Sequence, residues 1–153
     1  MTQQTKNQQL LIELITSRGE LLDAVDNLSD KQILLPVNGG WSIKDHLIHI
    51  TVWDEMRFFE ISRIARGGAA GHPVIEEIDW FNEPTVVMRR KLSLKQVIID
   101  MAYARDLVLQ AVAICPPDRL DPALYEDIGI EGGIAHDRSH AEVILAWRKK
   151  EHI

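Results

Sequence analysis

Apolar residues recur at intervals of three and four over four long segments of the chain, the spacing typical of amphipathic helices. The segments run over about residues 4–27, 42–65, 93–115 and 134–150, and no segment shows the alternation of a convincing strand. The positions predicted to face the core are Leu10, Leu11, Leu14, Ile15, Leu21, Leu22 and Val25 in the first segment, and Val97, Ile98, Met101, Ala104, Leu107, Val108 and Ala111 in the third. The pattern predicts an all-α fold, a four-helix bundle, and the length of 153 residues predicts a single domain over 1–153.

Residues that begin and end helices stand at the limits of these segments. Ser42 and Ser93 are the first residues of the second and third segments, and serine is a preferred N-cap residue. Gly67-Gly68 offers a left-handed end to the second helix, and Pro116-Pro117 stops the third. Lys149-Lys150 suits the negative end of the helix dipole at the end of the fourth.

Three connections join the helices, over residues 28–40, 67–92 and 118–133. The second is longer than an ordinary helix–helix turn, and loops of this length are usually functional or partly structured. It contains Glu76-Glu77 and the segment Asp79-Trp80-Phe81-Asn82. We expect it either to form a lid across one end of the bundle or to add a small satellite core. The topology stays open, because this connection is long enough to carry the chain back along the bundle.

Three histidines are predicted to point into the bundle. His49 shares one side of the second helix with Val52, Trp53, Met56 and Phe59, whereas Lys44, Thr51, Glu55 and Ser62 lie on the other side. His136 and His140 are four residues apart, so they stand one above the other on the fourth helix. They continue into Val143, Ile144 and Trp147, while Arg138, Glu142 and Lys149 face away.

A divalent metal is the simplest common partner for His49, His136 and His140, because an unpartnered buried polar group costs a few kcal/mol. Zinc sites that carry out chemistry keep three protein ligands and one open position, and three histidines form one known set. Nickel is also compatible with imidazole ligands. The alternative is a set of core histidines hydrogen-bonded to Asp45, Tyr103 or main-chain carbonyl groups.

Other polar residues near the three histidines are predicted to support the site or to lie outside it. His46 lies about 60° from His49 on the same helix, so we expect His46 and Asp45 to line the rim of the site or support its ligands. Asp45, Glu60 and Asp137 lie close enough to orient a ligand or move a proton, although capping or ion pairing is the simpler role for each. His72 and His152 are predicted to be solvated.

Composition excludes several classes of function. The net charge of −6 and the pI near 5.5 argue against a nucleic-acid-binding protein, and Arg89-Arg90-Lys91 is too short a basic run to change that. The polar N-terminus does not resemble a signal peptide, and no apolar run reaches the roughly 18 residues of a membrane span. The single cysteine, Cys115, fits a reducing cytoplasm, and no basic neighbour marks it as a nucleophile.

Several short motifs occur together along almost the whole chain. They are Gly40-Trp41-Ser42, His49 eight residues after the tryptophan, Trp53-Asp54-Glu55, Asn82 in the long connection, and His136-x-x-x-His140 leading to Trp147. In these motifs the chain resembles the DinB-like (DinB/YfiT) superfamily of four-helix metalloproteins. It departs from a frequent pattern of that family at Asp137, where an aromatic residue often follows the first histidine of the pair.

The resemblance implies a divalent-metal site on His49, His136 and His140, occupied by nickel or zinc, and a homodimer. It also implies a thiol-dependent activity, since known members are S-transferases that use mycothiol, bacillithiol or glutathione, or a mycothiol-dependent isomerase. The leading hypothesis is therefore a metal-dependent transferase that joins a low-molecular-weight thiol to a small electrophile, with a related hydrolase left open. The alternatives are a metal-independent protein that binds or removes a toxic small molecule, and a stress-induced interaction protein without catalysis.

Overall fold

Seven α-helices and two short 3-10 turns make up the computed structural model, which describes residues 3–71, 78–126 and 128–153. The helices are α1 Gln3–Val25, α2 Asp30–Ile33, α3 Ile43–Ala65, α4 Ile78–Arg89, α5 Leu94–Ile114, α6 Pro117–Leu120 and α7 Ile130–Glu151. The 3-10 turns are Val37–Gly39 and Asp121–Ala123. Within these ranges there is no strand, and Pro36 and Ser42 form an isolated bridge.

The four predicted helices correspond to α1, α3, α5 and α7, which confirms the all-α prediction. Ser42 caps α3 through a capping box with Asp45, and the Ser93 side chain accepts from the backbone of α5. Gly67 has a φ of +100° just after α3, the left-handed conformation that glycine adopts at little cost. Local signals therefore placed both ends of α3 correctly.

The contacts of α1 and α7 show that these helices run in the same direction. Arg138 of α7 pairs with Glu13 and Glu20 in the middle of α1. Further along α7, Arg148 donates to the carbonyl group of Ala24 at the end of α1. Helices α1 and α7 are therefore parallel.

The other two long helices run in the opposite direction. Asn7 at the start of α1 donates to the carbonyl group of Val112 at the end of α5, so α5 is antiparallel to α1. His46 at the start of α3 contacts His140 within α7, and Arg57 further along α3 donates to the carbonyl group of Gly129, just before α7. The order is therefore up, down, down, up, and the connection after α3 carries the chain back along the bundle.

Helix α4 lies in this returning connection, where the sequence pattern predicted no helix. Pro84 inside α4 and the glycines before it are breakers in most contexts, which is why the helix was missed. The structure accommodates Pro84: Thr85 Oγ1 donates to the carbonyl groups of Phe81 and Asn82, and Val86 is fully buried in the core.

Helix α7 begins four residues before the predicted start at Ile134. Its first turn contains Gly132 and Gly133, which we assigned to a loop and which are both buried in the helix. A Cβ atom at Gly133 would lie 3.0 Å from Cδ and Nε of Arg57. The lack of a side chain at Gly133 therefore allows the Arg57 side chain to pack directly against the backbone of α7.

Two apolar clusters fill the two ends of the bundle. One surrounds Leu47 and Ile144 and the other surrounds Leu14 and Val108. Between them lies a layer of buried charged side chains, which we call the charged layer: Arg18, Asp54, Arg57, Arg105 and Asp137. Within the described parts of the chain, we find no helix whose length and apolarity would suffice to span a bilayer.

Several predicted core positions are wrong. Phe59 is 66% exposed, whereas Thr51, predicted to face outward, is 1% exposed and donates to the Leu47 carbonyl group. The buried side of α3 is centred near Asp54 and Ile61, more than a quarter turn away from His49. Exposed residues in the other predicted stripes are Ile15, Leu22, Ile98 and Val143.

Candidate metal centre

The structure brings the three predicted histidines together at the side of the charged layer. His136 Nε2 lies 2.9 Å from His49 Nε2 and 3.0 Å from His140 Nε2. One ring nitrogen from each residue lies within 4.8 Å of the other two. Because His49 comes from α3 and the pair from α7, the site depends on the antiparallel packing of these helices.

Burial keeps these imidazoles neutral. It is the main cause that lowers the pKa of His49 to about 4 and of His140 to about 3, and the charges of neighbouring histidines add to it. The pKa of His136 is lowered further still, mainly by burial and then by its histidine neighbours. At pH 7 each ring therefore has a lone pair available to a metal without competition from a proton.

The distances from His136 Nε2 to His49 Nε2 and to His140 Nε2 fit pairs of ligands on a single ion. With metal–nitrogen bonds of about 2.0–2.1 Å, two ligands at angles between a right angle and the tetrahedral angle lie roughly 2.9–3.4 Å apart. Hydrogen bonding alone cannot satisfy the cluster, because His136 Nε2 faces two nitrogen atoms and a neutral ring nitrogen either donates once or accepts. The residues present therefore suit a divalent metal with imidazole ligands.

The outer nitrogen atoms of the three rings have different surroundings. His140 Nδ1 lies 2.9 Å from His46 Nδ1, so His46 stands directly behind a candidate ligand. His49 Nδ1 is buried without a hydrogen-bond partner among the described residues, and the Trp41 ring packs beside it with ring centroids 5.0 Å apart. An aromatic face is a weak acceptor for an N–H group.

Asp45 has a structural role at some distance from the three rings. It caps the start of α3 together with Ser42, and its other oxygen accepts from Arg90 Nε at 3.1 Å. Arg90 lies exposed in the turn that follows α4, and its contact with Asp45 joins this turn to α3. Asp45 therefore supports the helix that carries His46 and His49.

A cavity of about 320 Å³ opens beside the histidines. Its lining residues are His49, Trp53, Arg57, Asn82, Glu126, Gly132, Ala135, His136 and Ser139. This volume lies at the small end of the range of roughly 300–1,000 Å³ typical of ligand pockets. The site can therefore admit a small molecule next to the cluster of nitrogen atoms.

Helix α4 covers this cavity on one side. The Trp53 indole donates to Asn82 Oδ1 at 2.9 Å, and the Phe81 ring packs edge-on against Trp53. The Trp41 indole donates to Glu83 at 2.6 Å. The segment thus combines the two roles we had considered, since it adds to the core and walls the pocket. Glu76, Glu77 and His72 lie outside the described residues.

The charged layer forms the inner wall behind the histidines. Arg18 and Arg105 both bond Asp54 and Asp137, with the shortest contacts at 2.7 and 2.8 Å. Arg57 Nη1 donates to Asp54 at 2.7 Å. Burial alone would raise the pKa of Asp54, but Arg105, Arg18 and Arg57 hold it below the ordinary value. The Asp54 carboxylate stays charged, and the ion pairs of the charged layer hold α1, α3, α5 and α7 together.

The remaining acidic and nucleophilic candidates have structural roles. Asp137 belongs to the charged layer, and Glu60 is bound by Arg63 and by the Tyr125 hydroxyl group. Cys115 is buried, and burial raises the pKa of its thiol, so it is not an activated nucleophile. His152 is exposed, as expected.

Tyr103 is 65% exposed, so it is not the buried hydrogen-bond partner of the histidines that the alternative interpretation included.

Sequence reasoning gave no role to Arg18, Arg105 or Arg57. A signal was present, because each of these arginines interrupts an apolar stripe: Arg18 stands between Leu14 and Leu21 on the buried side of α1. A charge at such a position indicates a buried ion pair.

Comparison with known proteins agrees with this architecture. The family model described as the DinB superfamily matches residues 13–147. That range includes all three histidines of the cluster and the four long helices over most of their length. No curated protein and no solved structure matched the chain. Since the family model covers most of the sequence, the chain belongs to the DinB superfamily.

Proposed function

We propose that this protein is a metal-dependent enzyme that transfers a low-molecular-weight thiol to a small electrophile. One observation carries the proposal: three neutral imidazole nitrogen atoms converge at the wall of a cavity large enough for a small molecule. His49, His136 and His140 would hold the metal, with zinc and nickel both suited to these ligands. Membership of the superfamily supports the thiol-dependent part of the proposal.

His49, His136 and His140 would hold a divalent ion, which when bound would lower the pKa of a thiol or water and so supply a nucleophile at neutral pH. The residues around it prepare the site. Trp41 and Trp53 shield the rings from water on the side of α4, and His46 holds the outer nitrogen of His140. The charged layer fixes the helices that carry the ligands.

A metal-independent binding protein is the second candidate. The observation in its favour is the cavity itself, which protein residues alone line. On this reading the neutral histidines and Trp53 would bind a small molecule directly. Both candidates require a small-molecule partner, and neither assigns a role to the net negative charge of the chain.

The test uses protein purified without an affinity tag and loaded separately with zinc or nickel. Glutathione, bacillithiol and mycothiol are each offered with 1-chloro-2,4-dinitrobenzene as the electrophile, and formation of the thioether is followed by absorbance. The proposal predicts turnover with at least one thiol, lost after treatment with a chelator and in His136→Ala. Binding of the electrophile at equal affinity with and without metal, and no thioether with any thiol, would favour the second candidate.

A further inference from the structure

His49 has one buried nitrogen atom that no oxygen or nitrogen acceptor serves. The residue is 6% exposed, and its Nδ1 has no hydrogen-bond partner among the residues that the structure describes. The other nitrogen, Nε2, lies 2.9 Å from His136 Nε2 and belongs to the candidate metal ligands. If Nε2 gives its lone pair to a metal, the ring proton lies on Nδ1, and the buried atom becomes a donor. A buried donor without an acceptor is costly, so its surroundings should supply one.

The Trp41 ring is the group placed to receive this N–H. The two nitrogen atoms of an imidazole point to opposite sides of the ring, so Nδ1 of His49 is directed away from His136. Among the described residues, two rings outside the histidine cluster contact His49. The Trp41 centroid lies 5.0 Å away with the ring planes 51° apart, and the Trp53 centroid lies 6.2 Å away. Trp41 is the nearer ring, and an N–H group makes a weak hydrogen bond to the π electrons of such a ring.

Glu83 of α4 holds the Trp41 indole from its other side. Trp41 Nε1 donates to Glu83 Oε2 at 2.6 Å, and a bond to an ionised acceptor is among the stronger hydrogen bonds. Arg90 Nη2 donates to the second oxygen of Glu83 at 3.3 Å. A carboxylate that accepts from the indole N–H pushes electron density into the ring, and hydrogen bonds in series strengthen one another. The contact with Glu83 therefore fixes the indole and makes its face a better acceptor.

We propose that Glu83, Trp41 and His49 form a chain of hydrogen bonds in which the face of the Trp41 indole accepts the Nδ1–H of metal-bound His49. Histidines that bind metals usually donate their second N–H to a carboxylate, a carbonyl group or water. Here an indole stands between the carboxylate and the histidine. Neither Trp41 nor Glu83 lines the cavity, so both are positioning residues that act through His49. This inference rests on the metal site of the proposed function and not on its thiol chemistry.

Proton NMR of the zinc-loaded protein tests the contact between Trp41 and His49. The ring current shifts a proton above the face of an indole to high field, whereas a bond to a nitrogen or oxygen acceptor shifts it to low field. We expect the Nδ1–H signal of His49, assigned through its own side chain, at clearly higher field than that of His140, whose Nδ1 faces His46. The His49 signal should move to lower field in Trp41→Leu. It should move less in Trp41→Phe, which keeps an aromatic face.

The affinity for zinc, measured by competition with a chromogenic chelator, gives the size of the effect. Trp41→Leu should weaken binding roughly tenfold, the lower end of the usual effect of losing a group that orients a metal ligand, and Trp41→Phe should weaken it less. Glu83→Gln keeps an acceptor for the indole without its charge and should cost roughly two- to threefold. Trp80→Leu makes the same change at a tryptophan of α4 that is 74% exposed, and it should alter neither the His49 signal nor the affinity.

A His49 Nδ1–H signal at low field in the wild type would overturn the inference. So would a loss of affinity in Trp41→Leu without movement of that signal, because the Trp41 ring also contacts the His46 ring, with centroids 5.8 Å apart, and would then act through His46. An affinity in Trp41→Leu equal to that of Trp80→Leu would overturn it as well. Zinc-loaded protein that shows the high-field signal but forms no thioether would defeat the proposed thiol transfer alone, and a wild type that binds no zinc would defeat both.

Discussion

His46 Nδ1 lies 2.9 Å from His140 Nδ1, while the opposite nitrogen of His140 faces His136. His140 thus has one nitrogen for the candidate metal and one for His46. If His140 Nε2 provides its lone pair to a metal, His140 Nδ1 carries the proton and donates a hydrogen bond to His46 Nδ1. With a metal on His140 Nε2, His46 would fix both the tautomer and the orientation of His140.

The first prediction concerns His46. His46→Ala should weaken zinc binding by roughly 10- to 100-fold, the usual effect of losing a group that orients a metal ligand. His46→Asn retains an acceptor near the position of Nδ1 and should lose less. Competition with a chromogenic chelator measures the affinity. His152→Ala removes an exposed histidine and serves as the control; if His46→Ala behaved like it, His46 would have no role at the site.

The second prediction concerns the charged layer. Asp137→Ala should lower the free energy of unfolding by about 3–5 kcal/mol, because it leaves the Arg18 and Arg105 charges buried with one partner fewer. Urea denaturation of the metal-free protein measures the change. Glu20→Ala removes one partner of Arg138 on the surface and should cost less than about 1 kcal/mol. Similar losses in the two variants would show that the layer contributes no more than a surface pair.

The third prediction concerns two glycines in long helices. Gly133→Ala places a Cβ 3.0 Å from Arg57, whose side chain is held by Asp54 and by the Gly129 carbonyl group, so Arg57 must shift. We expect a loss of about 1–3 kcal/mol in the free energy of unfolding. Gly19→Ala has open space around the new Cβ and should instead gain about 0.5–1 kcal/mol from helix propensity. Opposite signs in urea denaturation would confirm the packing of Arg57 on α7.

The fourth prediction concerns pH. The folded protein holds the pKa of His49 near 4 and that of His140 near 3, below the ordinary value of about 6.5 that they regain on unfolding. The unfolded state therefore binds more protons below pH 6.5, and the free energy of unfolding falls as pH falls. His49 alone should cost about 2 kcal/mol between pH 7 and pH 5.

Urea denaturation of metal-free protein at pH 7 and pH 5 checks this dependence. His49→Gln should reduce the loss on going from pH 7 to pH 5, whereas His152→Gln, at an exposed residue, should leave it unchanged. The carboxylates Asp54 and Glu60, whose pKa values the fold lowers, lose their contribution mainly at lower pH, so the chosen window isolates the histidines. A stability that does not change between pH 7 and pH 5 would contradict the burial of neutral histidines.

Much of the fold was predictable because it depends on local sequence. Ser42 and Ser93 mark the starts of α3 and α5, and the spacing of His136 and His140 places them on one face of α7. The inward phase of His49 was correct although the centre of the buried side was not, because His49 lies at the edge of that side, next to the cavity. A helical period thus suffices to bring the three histidines together.

Other features depend on contacts between distant segments and left weaker traces in the sequence. Helix α4 was missed because its formation relies on packing against α3, which outweighs the effect of Pro84. The early start of α7 places Gly133 against Arg57, a contact between residues far apart in the sequence. The partners of the charged layer come from four helices, and a charged residue on an apolar stripe shows that a partner exists without showing which one.

Metal analysis tests the central claim most directly. Protein purified without an affinity tag should contain about one equivalent of zinc or nickel, and His49→Ala and His140→Ala should each lose it while retaining the helical circular-dichroism spectrum. This result would establish that α3 and α7 hold one ion between them. Full retention of the metal in both folded variants would contradict the site built from His49, His136 and His140.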